Sequence, residues 1–136
     1  MAATFTLNVV APDRSVVDET IVSLVAPGAD GYFGVMAGHL PLIAALRPGL
    51  LEFVTPSGER NLVYVGGGFA EVRPDRVTIL ADEAARARDI EVSRAEEELE
   101  QARRSLRGEA SAVTSSDAVA DVEKAMQKLK AARNSR

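Results

Sequence analysis

Few residues in this chain have the types and spacing to do chemistry. The sole histidine, His39, stands beside Gly38 within residues 31–49, GYFGVMAGHLPLIAALRPG. A nucleophilic triad needs a base oriented by a third group. Here there is no G-x-S-x-G elbow, and the chain has no cysteine. A structural or interface role therefore outranks a catalytic one for His39, because catalysis needs a constellation and not one residue. Without cysteine, disulfides and thiolate metal sites are excluded, and one histidine argues against a zinc or haem site. Gly66-Gly67-Gly68 lacks the Gly-Lys-Ser/Thr that completes a phosphate cradle and falls between two strand-like runs, so a turn or bulge accounts for it better. What remains is a cationic set near the carboxyl end. In an antiparallel helical hairpin turning near Ser111, Arg94 and Lys128 are both 17 residues from the turn and lie level, with Lys124 one turn away on the same face. Three cations at one end could hold a phosphate chain; the competing reading is a solvated charged face carrying pairs such as Glu100 with Arg104.

The elements that must position these groups follow from punctuation and period. All six prolines lie at or before Pro74, and nine of the ten glycines at or before Gly68. Before that break, Phe5, Leu7 and Val9 alternate with Thr4, Thr6 and Asn8. Short apolar runs recur at 20–26, 49–55, 61–65, 69–72 and 77–81. Turn signals separate them at Pro12-Asp13, Pro27-Gly28, Pro48-Gly49, Pro56-Ser57-Gly58 and Pro74-Asp75. Short strands at this spacing predict a β-sandwich or flattened barrel. Residues 31–49 are too punctuated for a helix and too apolar for a linker, so they read as short strands and tight turns that pack on a sheet.

From about Asp89, a plausible N-cap, the period changes. Val92, Ala95, Leu99, Ala102 and Leu106 share one helical face, and Gly108 suits the αL residue that ends a helix. Ala118, Val122, Ala125, Leu129 and Ala132 form the seam of a second helix, opened by Thr114 and Asp117 at capping-box spacing. The expected architecture is mainly β with an α appendage: a β-sandwich domain over residues 1–86 and an antiparallel helix-turn-helix hairpin over 87–136. Alanine buries little area, so the hairpin should hold together weakly by itself, which invites movement or a partner.

Composition limits the function classes. Hydrophobic residues at 46% and charged residues at 26% are ordinary globular usage. With 20 acids against 16 bases the net charge is −4, which argues against a general nucleic-acid binder. The longest apolar run, 40–46, is interrupted by Pro41 and far short of the roughly 20 residues that span a bilayer. The opening residues lack the pattern of a signal peptide, so the chain is expected in the compartment where it is made.

Three stretches resemble the epsilon subunit of F-type ATP synthases of the bacterial and chloroplast type. One is Gly31, Gly34, Gly38, His39, Pro41 and Leu42, followed by Leu46, Pro48 and Gly49; another is residues 66–84, GGGFAEVRPDRVTILADEA. The third is Ile90, Glu91, Arg94 and Ala95, which resembles the I-D-x-x-R-A motif through which some bacterial epsilon subunits bind ATP. The resemblance implies a ten-stranded sandwich followed by the hairpin, in a non-catalytic subunit of the rotating central stalk. It would link gamma to the membrane c-ring, couple ion-driven rotation to ATP synthesis and meet the alpha and beta subunits transiently. The complex would place it peripherally on the cytoplasmic face of a bacterial membrane, or on a thylakoid. Tyr32, Phe33, His39 and Leu42 become the gamma and c-ring contacts, with Tyr32 and Phe33 as turn-exposed aromatics. Tyr32 and Ala37 depart from relatives that carry an acidic residue and a proline there. Glu91, Arg94, Lys124 and Lys128 become a weak nucleotide site, because Glu91 replaces aspartate and the two lysines replace arginines with bidentate forks. Arg103, Arg104 and Arg107 become the contact through which the helices restrain ATP hydrolysis at the beta subunit. Two other functions compete: an ATP-sensing regulatory module, and a free-standing sandwich adaptor gripping an unrelated helical partner.

Overall fold

The computed structural model describes residues 3–108 and 115–135. Strands β1 (Phe5–Ala11), β2 (Arg14–Ile21), β3 (Ser23–Gly28), β4 (Gly31–Val35), β5 (Leu42–Val54), β6 (Arg60–Val72), β7 (Arg76–Ala81) and β8 (Ala84–Arg86) come first. A 3-10 turn (Ala87–Asp89) and helices α1 (Val92–Leu106) and α2 (Ser115–Asn134) follow. The sheet runs β2-β1-β7-β6-β5-β3-β4, with β8 added to β6, and all pairs are antiparallel except β1 with β7. It wraps around one core to which every strand contributes, including Leu7, Val9, Ile21, Leu24, Val35, Phe53, Val65 and Ile79. The predicted alternation holds on β1, where Phe5, Leu7, Val9 and Ala11 point inward.

The described residues hold eight strands, not ten, because β5 and β6 each run unbroken for 13 residues. Apolar runs 61–65 and 69–72, separate in the sequence, are two halves of β6. Its pairing with β5 continues on both sides of the glycines, Gly66 opposite Pro48 and Gly68 opposite Leu46. Gly68 has φ 132°, and a Cβ there would lie 2.1 Å from the Leu80 carbonyl oxygen. Only a residue without a side chain lets β6 stay bonded to β5 and β7 through that bend.

The hairpin folds back onto the sandwich. Helix α2 packs on β5, β6 and the 3-10 turn, and α1 packs on α2. Leu50, Tyr64, Ala87 and Ile90 meet Ala95, Leu99, Ala125, Leu129, Ala131 and Ala132 in a second apolar cluster. Both predicted seams are recognisable in it, although Leu106 at the end of α1 stays 45% exposed. The first helix starts later than expected. Asp89 closes the 3-10 turn and Glu91 takes the N-cap position, because Ile90 is extended (φ −92°, ψ 124°) and buried in the second cluster. At the other end Gly108, with φ 81°, adopts the predicted left-handed conformation. Thr114 of the predicted capping box and the turn at Ser111 lie outside the described residues.

Candidate functional site

Strand β4, the segment that follows it and the start of β5 gather the four residues selected from the 31–49 segment. Tyr32, Phe33, His39 and Leu42 all line one groove of about 480 Å³, together with Asp30 and Ile43. The two aromatics are not alike. They sit on a strand and not in a turn, so they face opposite ways. Tyr32 is exposed, its hydroxyl accepting from the Leu50 N–H at 3.2 Å, whereas Phe33 packs against the core as Leu42 does. His39 Nδ1 lies 2.7 Å from the carbonyl oxygen of the adjacent Leu40.

Sequence reasoning passed over the most exposed apolar groups of this wall. Met36, Leu40 and Ile43 are 65%, 80% and 74% exposed. Further along the same outer face Phe69 sits in register between Ala45 and Leu80, and both Phe69 and Leu80 are more than half exposed. The signal was present on β6, since inward Ala70 and Val72 force Phe69 and Glu71 outward. A row of large apolar groups in water is an interface signature.

The cationic set divides between two clefts that flank Lys128. Glu91, Arg94 and Lys128 line one of about 260 Å³ with Asp89 and Glu98. Lys124 lines the other, of about 310 Å³, with Tyr64, Glu83 and Asp121. Arg94 and Lys128 are level, as the hairpin geometry required: Glu98 reaches Arg94 Nε at 3.8 Å with one oxygen and Lys128 Nζ at 3.1 Å with the other. Lys128 Nζ also meets Glu83 at 3.2 Å and lies 5.9 Å from the centre of the Tyr64 ring. Tyr64, fully buried, donates its hydroxyl to the other Glu83 oxygen at 2.9 Å. Gly66 keeps this corner open, because a Cβ there would stand 2.9 Å from the Tyr64 hydroxyl.

Electrostatics follow from that geometry. Burial pushes the Tyr64 hydroxyl above its usual pKa, and the charge and hydrogen bond of Glu83 push it further, so the phenol stays neutral. Burial works to lower the Lys128 pKa, but the hydrogen bonds and charges of Glu98 and Glu83 outweigh it and raise the value above 10.5. A polyphosphate entering here would face Asp89, Glu91 and Glu98 and would have to displace two carboxylates from Lys128. Tyr64, Glu83 and Glu98 carry no motif that would single them out in the sequence.

Arg103 and Arg104 in the last turn of α1 and Arg107 at its C-cap are exposed, and their charge suits the helix dipole. The predicted Glu100–Arg104 pair forms at 3.5 Å, and Arg107 reaches the same Glu100 oxygen at 3.5 Å.

The profile of the ATP synthase delta/epsilon chain β-sandwich domain matches residues 4–87. The chain belongs to this ATP synthase family. Among its relatives, the ATP synthase epsilon chain of Desulfatibacillum aliphaticivorans is 42% identical over 113 residues, 83% of this chain and 80% of the relative. The ATP synthase epsilon chain of Desulfosudis oleivorans is 41% identical over 106 residues, 78% and 80% of the two chains. Membership makes the chain a non-catalytic part of a membrane-associated complex. A chain of the Euglena gracilis mitochondrial ATP synthase, from a structure with OSCP, F1 and c-ring, superposes with TM-score 0.80 at 27% identity, covering 98% of this chain and 83% of that one. One from the central stalk and c-ring of the Tetrahymena thermophila enzyme shares the fold at TM-score 0.64 and 12% identity, over 96% of this chain and 98% of that one.

Proposed function

We propose that the chain is the epsilon-type subunit of the central stalk of a bacterial F-type ATP synthase, peripheral to the cytoplasmic face of the membrane. It links gamma to the c-ring, so that ion-driven rotation is coupled to ATP synthesis on other subunits. The single observation that carries this reading is the outer wall of the sandwich: Tyr32, Met36, Leu40, Ile43, Phe69 and Leu80 stand in solvent on a body whose own core is complete without them. A torque-bearing part needs such a rigid body with anchoring groups outside it. Tyr32, Phe33, His39 and Leu42 form the groove for gamma and the ring, and residues 1–86 form the docking domain. The arginines at 103, 104 and 107 are the contact to an acidic segment of beta through which the hairpin restrains hydrolysis. Nucleotide sensing at Glu91, Arg94, Lys124 and Lys128 ranks behind this reading, because carboxylates already hold Lys128.

The test is a one-to-one complex of the purified chain with gamma. Ile43→Glu, which alters an exposed side chain, should weaken that complex at least about tenfold; failure of the unaltered chain to bind gamma would sink the proposal. Removing residues 91–136 should leave assembly intact and raise ATP hydrolysis.

A further inference from the structure

The hairpin docks through little apolar surface. Half of the buried residues in its cluster are alanines, each contributing one methyl group. Against that thin contact stands one group that touches all three bodies that would part if the hairpin left. Lys128 rides on α2, Glu98 on α1, and Glu83 and Tyr64 belong to the sandwich. The lysine side chain is 20% exposed and its partners Glu83 and Glu98 are 47% and 38% exposed, so solvent screens these pairs only in part. Glu83 is itself fixed, by the Tyr64 hydroxyl on one oxygen and by its backbone carbonyl, which accepts from the Gly66 N–H at 2.7 Å. Take the ammonium away and two carboxylates confront each other across the seam, so loss of Lys128 replaces attraction with repulsion.

We propose that Lys128, clamped between Glu83 of the sandwich and Glu98 of α1 above the Tyr64 ring, is a charge latch that keeps the hairpin docked. The latch uses only groups of this chain. Docking therefore persists without nucleotide, and whatever competes for Lys128 or for its two carboxylates releases the helices. This goes beyond the stalk assignment and stands without it, since it concerns the folded chain alone. The two arms have separate duties: Glu98 ties the helices to each other, and Glu83 ties the pair to the sheet.

Amide hydrogen exchange on the full chain, without nucleotide, tests it. Lys128→Met keeps the length of the side chain and removes the charge. It should speed exchange in α1 and α2 at least about tenfold while β1 and β7 keep their protection, because a charge pair is broken at the seam and not in the core. Glu83→Gln should free both helices from the sheet with their mutual protection retained, and Lys130→Met, two residues on and exposed on the opposite side of α2, should change nothing. Unchanged helix exchange in Lys128→Met overturns the latch, and so does equal acceleration in the sandwich strands, which would mean a general loss of stability. Gamma binding by the same Lys128→Met protein keeps the two proposals apart. Normal binding with a released hairpin supports the latch, whereas loss of gamma binding by the unaltered chain strikes only the stalk assignment.

Discussion

Two apolar clusters hold this chain together, and they are made of different material. The sandwich core is closed by Val, Leu, Ile and Phe side chains from seven strands and by Ala84 from β8, many with no accessible surface at all. Among the described residues, Leu99 and Leu129 are the only large buried side chains that the helices give the hairpin cluster, set among alanines. Charges mark the same contrast. At the hairpin seam Lys128 of α2 meets Glu83 of the sandwich and Glu98 of α1, whereas the sandwich pairs Arg60 with Glu52 and Arg86 with Glu19 join strands of one body. Shape complementarity makes a body that does not yield. Thin packing with charge geometry makes an appendage that can be let go, and a rotor part with a regulatory arm needs one of each.

The comparison breaks first at the core. Phe53→Ala removes a fully buried ring and should cost about 3–5 kcal/mol of stability in urea denaturation, with the hairpin lost in the same transition. A loss below about 1 kcal/mol would mean the sandwich is packed as loosely as the hairpin. Leu129→Ala should cost about 2–3 kcal/mol. That loss should be local, with hydrogen exchange rising in α1 and α2 and not in β1; a uniform rise would merge the two clusters into one cooperative unit.

Alkaline pH sharpens the contrast further. Lys128 is raised above 10.5 in the fold, so its contribution is complete below the unfolded value and disappears as pH climbs through the folded one. Tyr64, raised from 10.0, works in the same direction, since ionising the buried phenol beside Glu83 is what the fold resists. Docking, followed by energy transfer between dyes on β2 and α1, should stay flat through neutral pH and weaken beyond 10.5 before the sandwich unfolds. Simultaneous loss of both would detach the effect from the seam. The smallest effect belongs to the surface: Arg104→Ala removes an exposed i,i+4 pair with Glu100 and should change thermal stability by about 0.5 kcal/mol or less.

Much of this was legible from residue spacing. Alternation at Phe5, Leu7 and Val9 marked β1, the 3,4 stepping from Val92 to Leu106 marked α1, and Gly108 marked its end. The groove residues Tyr32, Phe33, His39 and Leu42 were picked together and do share one groove. Within that group the turn assignment for the aromatics failed, because pairing with β3 makes residues 31–35 a strand and turns Phe33 inward. Counting β6 as two strands failed for a related reason. A triple glycine interrupts an apolar run, but hydrogen bonds to β5 and β7 carry the strand through it. Asp89 lost the cap to Glu91 because burying Ile90 outweighed a good capping side chain.

By itself, then, the sequence determined the element types, the facing of most side chains and the family, all of which depend on periods of two and 3.6 residues or on short motifs. Tertiary structure alone decided that β5 and β6 run unbroken, that the hairpin lies on the sandwich, and that Lys128 meets Glu83 across 45 residues of chain. The reason is physical. Backbone angles set where neighbouring side chains point, so local pattern records facing. Which distant group a charge finds depends on how whole elements pack, and no spacing along the chain encodes that distance.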